Sequence, residues 1–310
     1  MTHAQRFITA ITGGTPDYVP TFELEYQLAP ITHGHDFLKE EELKGLSEDE
    51  VEQKLRENAE FLLRVYRDLD HDAICIHYLS DEHLIRTAQL IKEMAGNEFC
   101  LLTHGDGTFS ITDGEGMEEL AYAMYDDPES VKAEAERKCV HAIERNRKLL
   151  AGGFDGFILC CDYCYNAGPM MSPAMFAQFV TPYLARIIAD IREHGGYAIK
   201  HTDGNIMPIL DQLVSTNPHA LHSIDPMAGV DIKKVKELTY GKVALCGNVH
   251  CAAMQTGTEQ DVIDSCEYCL KYGKPGGGYV FNTSNIPFKG LPVERYQLVL
   301  DVWKKHRRYD

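Results

Sequence analysis

Apolar and polar residues follow two different periods along this chain, and the periods trade places regularly. Short apolar runs rich in Val, Ile, Leu and Cys occupy positions 19–26, 73–78, 100–104, 156–162, 197–201, 220–224, 242–246 and 278–281. Their length and β-branched content predict strands, most of them buried on both faces. After each run, apolar residues recur at three- and four-residue spacing, over 50–69, 81–94, 128–151, 173–194, 206–215, 231–238, 259–272 and 292–306, which predicts helices. Proline sits near several of the predicted first turns, behind a capping residue in Asp127-Pro128 and Ser172-Pro173 and again at Pro292. Eight strands, each followed by a helix, predict an α/β protein of the TIM (β/α)8 barrel class. A doubly wound open sheet would want a switch point and often a glycine-rich first turn, and neither is evident.

Composition narrows the classes of function. With 310 residues, 44% of them hydrophobic, the chain carries enough apolar material for a large core, and no linker or repeat divides it, so one domain over 1–310 is expected. A formal charge of −17 opposes binding to nucleic acid, which depends on Lys and Arg neutralising phosphates. No run of about 18 apolar residues occurs, and positions 1–10 lack a basic stretch leading into an apolar one, so the expectation is a cytoplasmic protein without membrane contact. Ten cysteines in such a compartment are either apolar filler or chemically employed thiols.

In a barrel, the groups that do chemistry lie just past the C-terminal strand ends. Those positions gather Glu23 and Glu25, His77 and Tyr78, His104 and Asp106, Cys160 to Asp162, His201 and Asp203, Asp225, then Cys246, Asn248 and His250, and Asn282. In Lys200-His201-Thr202-Asp203-Gly204-Asn205 the His-x-Asp pair faces one side of the pleat, so both side chains reach one metal ion or substrate, or else bond to each other and shape the loop. A thiolate from Cys246, an imidazole from His201 and a carboxylate from Asp203 would make a three-ligand zinc site with one open position. The competing reading keeps Cys246 as a small hydrophobe in the barrel.

The remaining motifs are weaker. Cys161-x-x-Cys164 has zinc or redox spacing, but its only partner pair, Cys266-x-x-Cys269, lies within a predicted helix, so Asp162 is preferred as the pocket residue. Glu23 and Glu25 project from one face of the first strand, as metal or proton-transfer groups or as an exposed strand end, while His77 and His104 read as substrate contacts or core histidines. The glycines 276–278 precede a strand, so they read as a turn rather than a phosphate cradle.

Taken together, Met124-Tyr125-Asp126-Asp127-Pro128-Glu129, Gly156-Phe157-Ile158 through Asp162, Gly168-Pro169-Met170-Met171-Ser172-Pro173, Thr181-Pro182-Tyr183, His201-Thr202-Asp203-Gly204-Asn205 and Leu245-Cys246-Gly247-Asn248 resemble the uroporphyrinogen decarboxylase superfamily of TIM barrels. That superfamily has a decarboxylating branch and a branch of corrinoid-linked methyltransferases, among them coenzyme M methyltransferases and O-demethylase components. The decarboxylases carry an N-terminal arginine motif that grips substrate carboxylates; positions 21–30 here hold Glu23 and Glu25 and no arginine. Phe281-Asn282-Thr283-Ser284-Asn285 stands where decarboxylases place a His-Gly pair. Against the methyltransferases' His-x-Cys zinc pair and later Cys, only His201 matches, with Asp203 in place of the first thiol.

The resemblance therefore implies a zinc-dependent methyltransferase acting between a small methylated ether, amine or thiol and a corrinoid. The metal ligands would be His201, Cys246 and Asp203. Asp162, Asp203 and Glu25 would serve catalysis, and Glu23, His77, Tyr78, His104, Tyr163, Asn248 and Asn282 would contact substrate. No Asp-x-His-x-x-Gly segment for holding a corrinoid is present, so that cofactor would arrive on a separate corrinoid protein. A homodimer is compatible with the resemblance. The alternatives are a metal-free decarboxylase or lyase with Asp162 or Asp203 as the acid, and a binding subunit without chemistry.

Overall fold

The computed structural model describes residues 1–309. Seven strands, β1 Ala73–Cys75, β2 Cys100–His104, β3 Gly156–Cys160, β4 Tyr197–His201, β5 Ala220–His222, β6 Ala244–Cys246 and β7 Tyr279–Val280, form one sheet hydrogen-bonded in chain order. Every pairing is parallel, so each connection crosses back through the helical layer and the sheet curls into a TIM-barrel-like fold.

The expected first strand is present as a single rung between β7 and β1. Thr21 pairs in parallel with Phe281, Phe281 N donates to Pro20 O at 2.9 Å, and Asp72 N donates to Thr21 O at 2.7 Å. A longer ladder is prevented locally: Pro20 has no N–H, and the N–H of Thr283 goes to the Glu23 side chain at 3.2 Å instead of to a backbone carbonyl.

Alternate strand residues fill the barrel. Cys75, Leu102, Ile158, Ile199, Ala220, Ala244, Cys246 and Val280 meet Phe22 and Leu24 inside. Phe7, Ala10 and Ile11 join the same cluster from helix His3–Ile11, which closes the N-terminal end and was not expected from the periodicity. Helices Gly114–Asp126 and Cys251–Thr256 are likewise additional. The expected helix over 173–194 divides into Pro173–Phe179 and Thr181–Glu193 at Val180, whose φ of −123° leaves the helical range, two residues before Pro182, which lacks an N–H.

Two glycine features position the mouth and floor. Gly204, just past β4, has φ +82°, and a Cβ there would sit 2.3 Å from Cys164 O in the small hairpin Cys164–Tyr165/Gly168–Pro169, so only glycine fits. Gly276, Gly277 and Gly278 all have positive φ and form the turn into β7, as the sequence suggests. All ten cysteines are free thiols. Among the described residues no helix is long and apolar enough to cross a membrane.

Candidate active site

Two adjacent strand ends build the site. His201 is the last residue of β4, Asp203 follows two residues on, and Asp162 stands two residues beyond the end of β3. The His201 Nε2 lies 3.6 Å from Asp162 Oδ1 and 3.8 Å from Asp203 Oδ1. One ligand atom from each of the three falls within 4.8 Å of the others. The imidazole is 5% exposed and forms the floor, while the Asp162 and Asp203 side chains are 45% and 31% exposed and face the open mouth.

These separations are informative about what belongs between the groups. They exceed a hydrogen bond, and they approach the roughly 3.4 Å that separates ligands around a tetrahedral ion with bonds of about 2.0–2.1 Å. One nitrogen and two carboxylate oxygens with open sides therefore fit a divalent cation. Burial pulls the His201 imidazole down from its usual range against the opposing pull of Asp203 and Asp162, which favours the neutral form that ligates metals. Burial likewise pushes the Asp203 carboxyl up.

Neighbouring groups aim the ligands. Ser223 Oγ donates to Asp203 Oδ1 at 2.8 Å, Asn285 Nδ2 donates to Asp203 Oδ2 at 2.6 Å, and the backbone N of Asp203 donates to Asp162 Oδ1 at 3.0 Å. Ser223 and Ile224, directly after β5, have φ of +86° and +50°, a left-handed conformation that is costly for a β-branched residue. Such strain persists where the surroundings over-determine it, and it gathers at functional sites. Here Asn248 Nδ2 holds Ile224 O at 2.7 Å, and the Asp225 carboxylate holds Gly204 N at 3.1 Å.

Behind His201 runs a buried relay. His201 Nδ1 is 2.8 Å from His222 Nδ1, and His222 Nε2 is 2.5 Å from Asn282 Nδ2. In this amide orientation Asn282 donates, His222 passes a hydrogen bond forward from Nδ1, and the His201 proton sits on Nε2 among the carboxylates. With the amide turned over, every donor reverses and His201 offers its Nε2 lone pair to a cation. The Asn282 Oδ1, buried without a partner, then gains a donor, and the amide gives up its 3.0 Å donation to Thr283 O.

The structure redistributes the expected site residues. Cys246 is fully buried among apolar side chains inside the barrel, burial pushes its thiol up, and it is not part of the metal-capable group. The metal-capable group is Asp162, His201 and Asp203, in place of the expected His201, Cys246 and Asp203, because Cys246 is packed into the apolar barrel interior while Asp162 stands at the mouth. Glu23 is also corrected: its carboxyl is 1% exposed, bonded to Thr283 N, Thr283 Oγ1 and Tyr296 OH, and pushed by burial up to about 8. Tyr163 is wholly buried with its hydroxyl 2.6 Å from Thr108 Oγ1, so it packs beneath the loops instead of reaching substrate. Asn248 is occupied by Ile224 O and by the Cys269 thiol, and Asn282 stands behind His222.

Glu25, His77, Tyr78 and His104 line the β1–β2 side. Tyr78 OH donates to Glu25 Oε1 at 2.5 Å, His77 Nε2 lies 2.7 Å from Leu24 O, and the His77 and His104 rings are 4.3 Å apart. Sequence reasoning missed Ser223, Asn285 and His222, although His222 stands in register with His201 at adjacent strand ends. It also missed the buried pair of Lys200 and Asp106, whose signal was a lysine inside an apolar strand.

A family model described as Uroporphyrinogen decarboxylase (URO-D) matches residues 89–306. Among solved structures, a methyltransferase from Methanosarcina mazei superposes with a TM-score of 0.74 at 14% identity, over 98% of this chain and 99% of that one. A B12-independent methionine synthase from Shewanella sp. W3-18-1, in complex with selenomethionine, superposes with a TM-score of 0.53 at 11% identity, over 84% of this chain and 88% of that one. At such identities the likeness is one of fold. No curated protein sequence matches the chain significantly. With 218 of its 310 residues matched and the barrel in place, the chain belongs to the uroporphyrinogen decarboxylase (URO-D) family.

Proposed function

We propose that this protein is a metal-dependent methyltransferase that moves a methyl group between a small methylated ether, amine or thiol and a corrinoid carried by a separate protein. The observation that carries the reading is the open Asp162–His201–Asp203 group at the mouth, whose spacing suits a cation and whose carboxylates remain accessible. The full-length likeness in fold to the Methanosarcina mazei methyltransferase supports it. So does the acidic mouth: Asp162, Asp203 and Glu25 would repel a polycarboxylate, and positions 21–30 bring no arginine to grip one.

Asp162, His201 and Asp203 would hold the metal, zinc by expectation, although a donor set of one nitrogen and two oxygens also suits other first-row divalent ions. A bound cation supplies Lewis acidity toward the substrate heteroatom, improving it as a leaving group. The protein's own residues do the rest. Ser223 and Asn285 fix both oxygens of Asp203, the His222–Asn282 relay sets which His201 nitrogen carries the proton, and Glu25 with Tyr78 borders the far side of the mouth.

Metal analysis of protein purified without chelators tests the reading, beside methyl-transfer assays with a reduced corrinoid protein. About one divalent ion per chain is expected, with both metal and turnover lost in His201→Ala and Asp203→Asn while the melting temperature is held. Full metal retention in both variants overturns the ligand assignment. Family membership favours a lyase as the second reading, and metal-free protein that converts a carboxylated substrate would establish it in place of the first.

A further inference from the structure

The opposite end of the barrel holds a second cluster of unused chemistry. A cavity of about 340 Å³ opens below the N-terminal ends of β5, β6 and β7, lined by Arg192, Lys236, Lys242, His219 and the glycine turn 276–278, with no Asp or Glu in its wall. In a chain of formal charge −17, this wall is entirely cationic or neutral. Its volume falls at the small end of the range typical of ligand pockets.

None of the three cations has a carboxylate partner among the described residues. Lys236, 9% exposed, donates only to Gly277 O at 2.5 Å and Gly278 O at 3.5 Å. Arg192 reaches Asn217 O at 3.3 Å, and Lys242 reaches Leu238 O at 3.4 Å. Carbonyl oxygens carry partial charge and leave most of a full positive charge unopposed. Lys242 contacts the end of the preceding helix. Lys236 lies in the last turn of that same helix, so both ammonium groups share one helix end, whose partial negative charge of about half a unit leaves most of their two positive charges unopposed. Burial lowers the Lys236 amine to about 8, so it remains largely protonated at neutral pH. His219 Nδ1 accepts from Ala198 N at 3.0 Å, which places the proton of its neutral ring on Nε2 and adds a donor.

We propose that this cavity binds a small, multiply charged oxyanion of the phosphate class, held by Arg192, Lys236 and Lys242. A phosphate ion and the phosphoryl group of a metabolite share the required chemistry: several acceptor oxygens around a concentrated negative charge. Binding here is independent of the mouth, since the site lies at the other end of the strands.

Isothermal titration of the full chain with inorganic phosphate, pyrophosphate and glycerol phosphate, at an ionic strength fixed with potassium chloride, tests the proposal. Saturable one-to-one binding tighter than about 1 mM is expected for at least one of them. Arg192→Gln/Lys242→Gln, at two exposed positions, should weaken it about tenfold or more without lowering the melting temperature, as removal of charged hydrogen bonds predicts. Lys236→Met should weaken it further, and the double variant keeps the test decisive if that protein does not fold. A monoester that binds more tightly than phosphate identifies a metabolite, and equal binding identifies the ion itself. No saturable heat with any of the three, or equal affinity in wild type and double variant, overturns the proposal.

Discussion

Lys200 and His201 are neighbours on β4 that face opposite ways, and the two clusters they anchor differ in one respect that separates architecture from chemistry. Lys200 points outward with its side chain fully buried, and its amine donates to Asp106 Oδ2 at 2.8 Å, Leu159 O at 2.8 Å and Cys161 O at 2.9 Å. All three donors are used. Asp106 accepts in addition from Gly107 N, Thr108 N, Thr108 Oγ1 and Cys161 N, and Lys200 with these donors holds the carboxyl below its usual range in spite of burial. His201 points into the mouth, where Asp162 and Asp203 stand too far off for hydrogen bonds and keep open sides. A closed ionic cluster fixes loops; an open one of like-charged groups has capacity left for a ligand.

Breaking the closed cluster should produce the largest change. Lys200→Met strands a buried carboxylate, and a loss of about 3–5 kcal/mol in a denaturant titration is expected. Adding Asp106→Asn should restore part of that loss, because the pair is coupled. The open cluster should behave in the opposite way. Asp162→Asn removes a charge that is 45% exposed and repelled by Asp203, so stability should change by no more than about 0.5 kcal/mol while metal retention falls. Equal stability losses in Lys200→Met and Asp162→Asn would erase the distinction.

The comparison can be sharpened one layer further back, at Asn282. Asn282→Leu removes the group that sets the His222 and His201 tautomers, and metal affinity should fall about 10–100-fold, as for other outer partners of ligating histidines. Asn282→Asp retains an acceptor for His222 Nε2–H and should recover most of that affinity. A structural role alone would make the two variants equally weak in competition titrations with a metal-sensitive dye.

How much of this was legible in sequence follows from the same alternation. Short apolar, β-branched runs located all seven strands of the sheet, and the alternation of side chains placed His201 and Asp203 on one side of the pleat, because both are local properties of the chain. The first run failed as a full strand through Pro20 and through the Glu23 side chain, which takes a backbone donor across the barrel. The sequence left Cys246 as either a metal ligand or a small hydrophobe, because whether a strand-end thiol reaches the mouth or is buried with Phe22 and Val280 depends on packing between strands distant in sequence. Lys200 stands inside an apolar run, and only the fold reveals Asp106, 94 residues away, as its partner.

Glu23 offers the smallest and most specific test, since it is a carboxyl that a sequence reading places at the mouth and the fold seals away. Burial raises its folded-state pKa from 4.5 to about 8, and the Thr283 hydroxyl, 2.6 Å from Glu23 Oε2, can accept a hydrogen bond from the neutral acid as well as donate one to the carboxylate. Between those values the folded protein binds one more proton than the unfolded chain. The stabilisation is therefore fully present below pH 4.5 and is lost as pH rises toward 8. Burial outweighs the three donors around the carboxyl, and at about 1.4 kcal/mol per pH unit a loss on the order of 2 kcal/mol between pH 6 and 8 is expected. Glu23→Gln preserves the shape of the neutral acid and cannot titrate. Its melting temperature relative to wild type should rise from pH 6 to about pH 8 and level off above it. A constant difference would mean that Glu23 is ionised in the fold and that its three donors outweigh its burial.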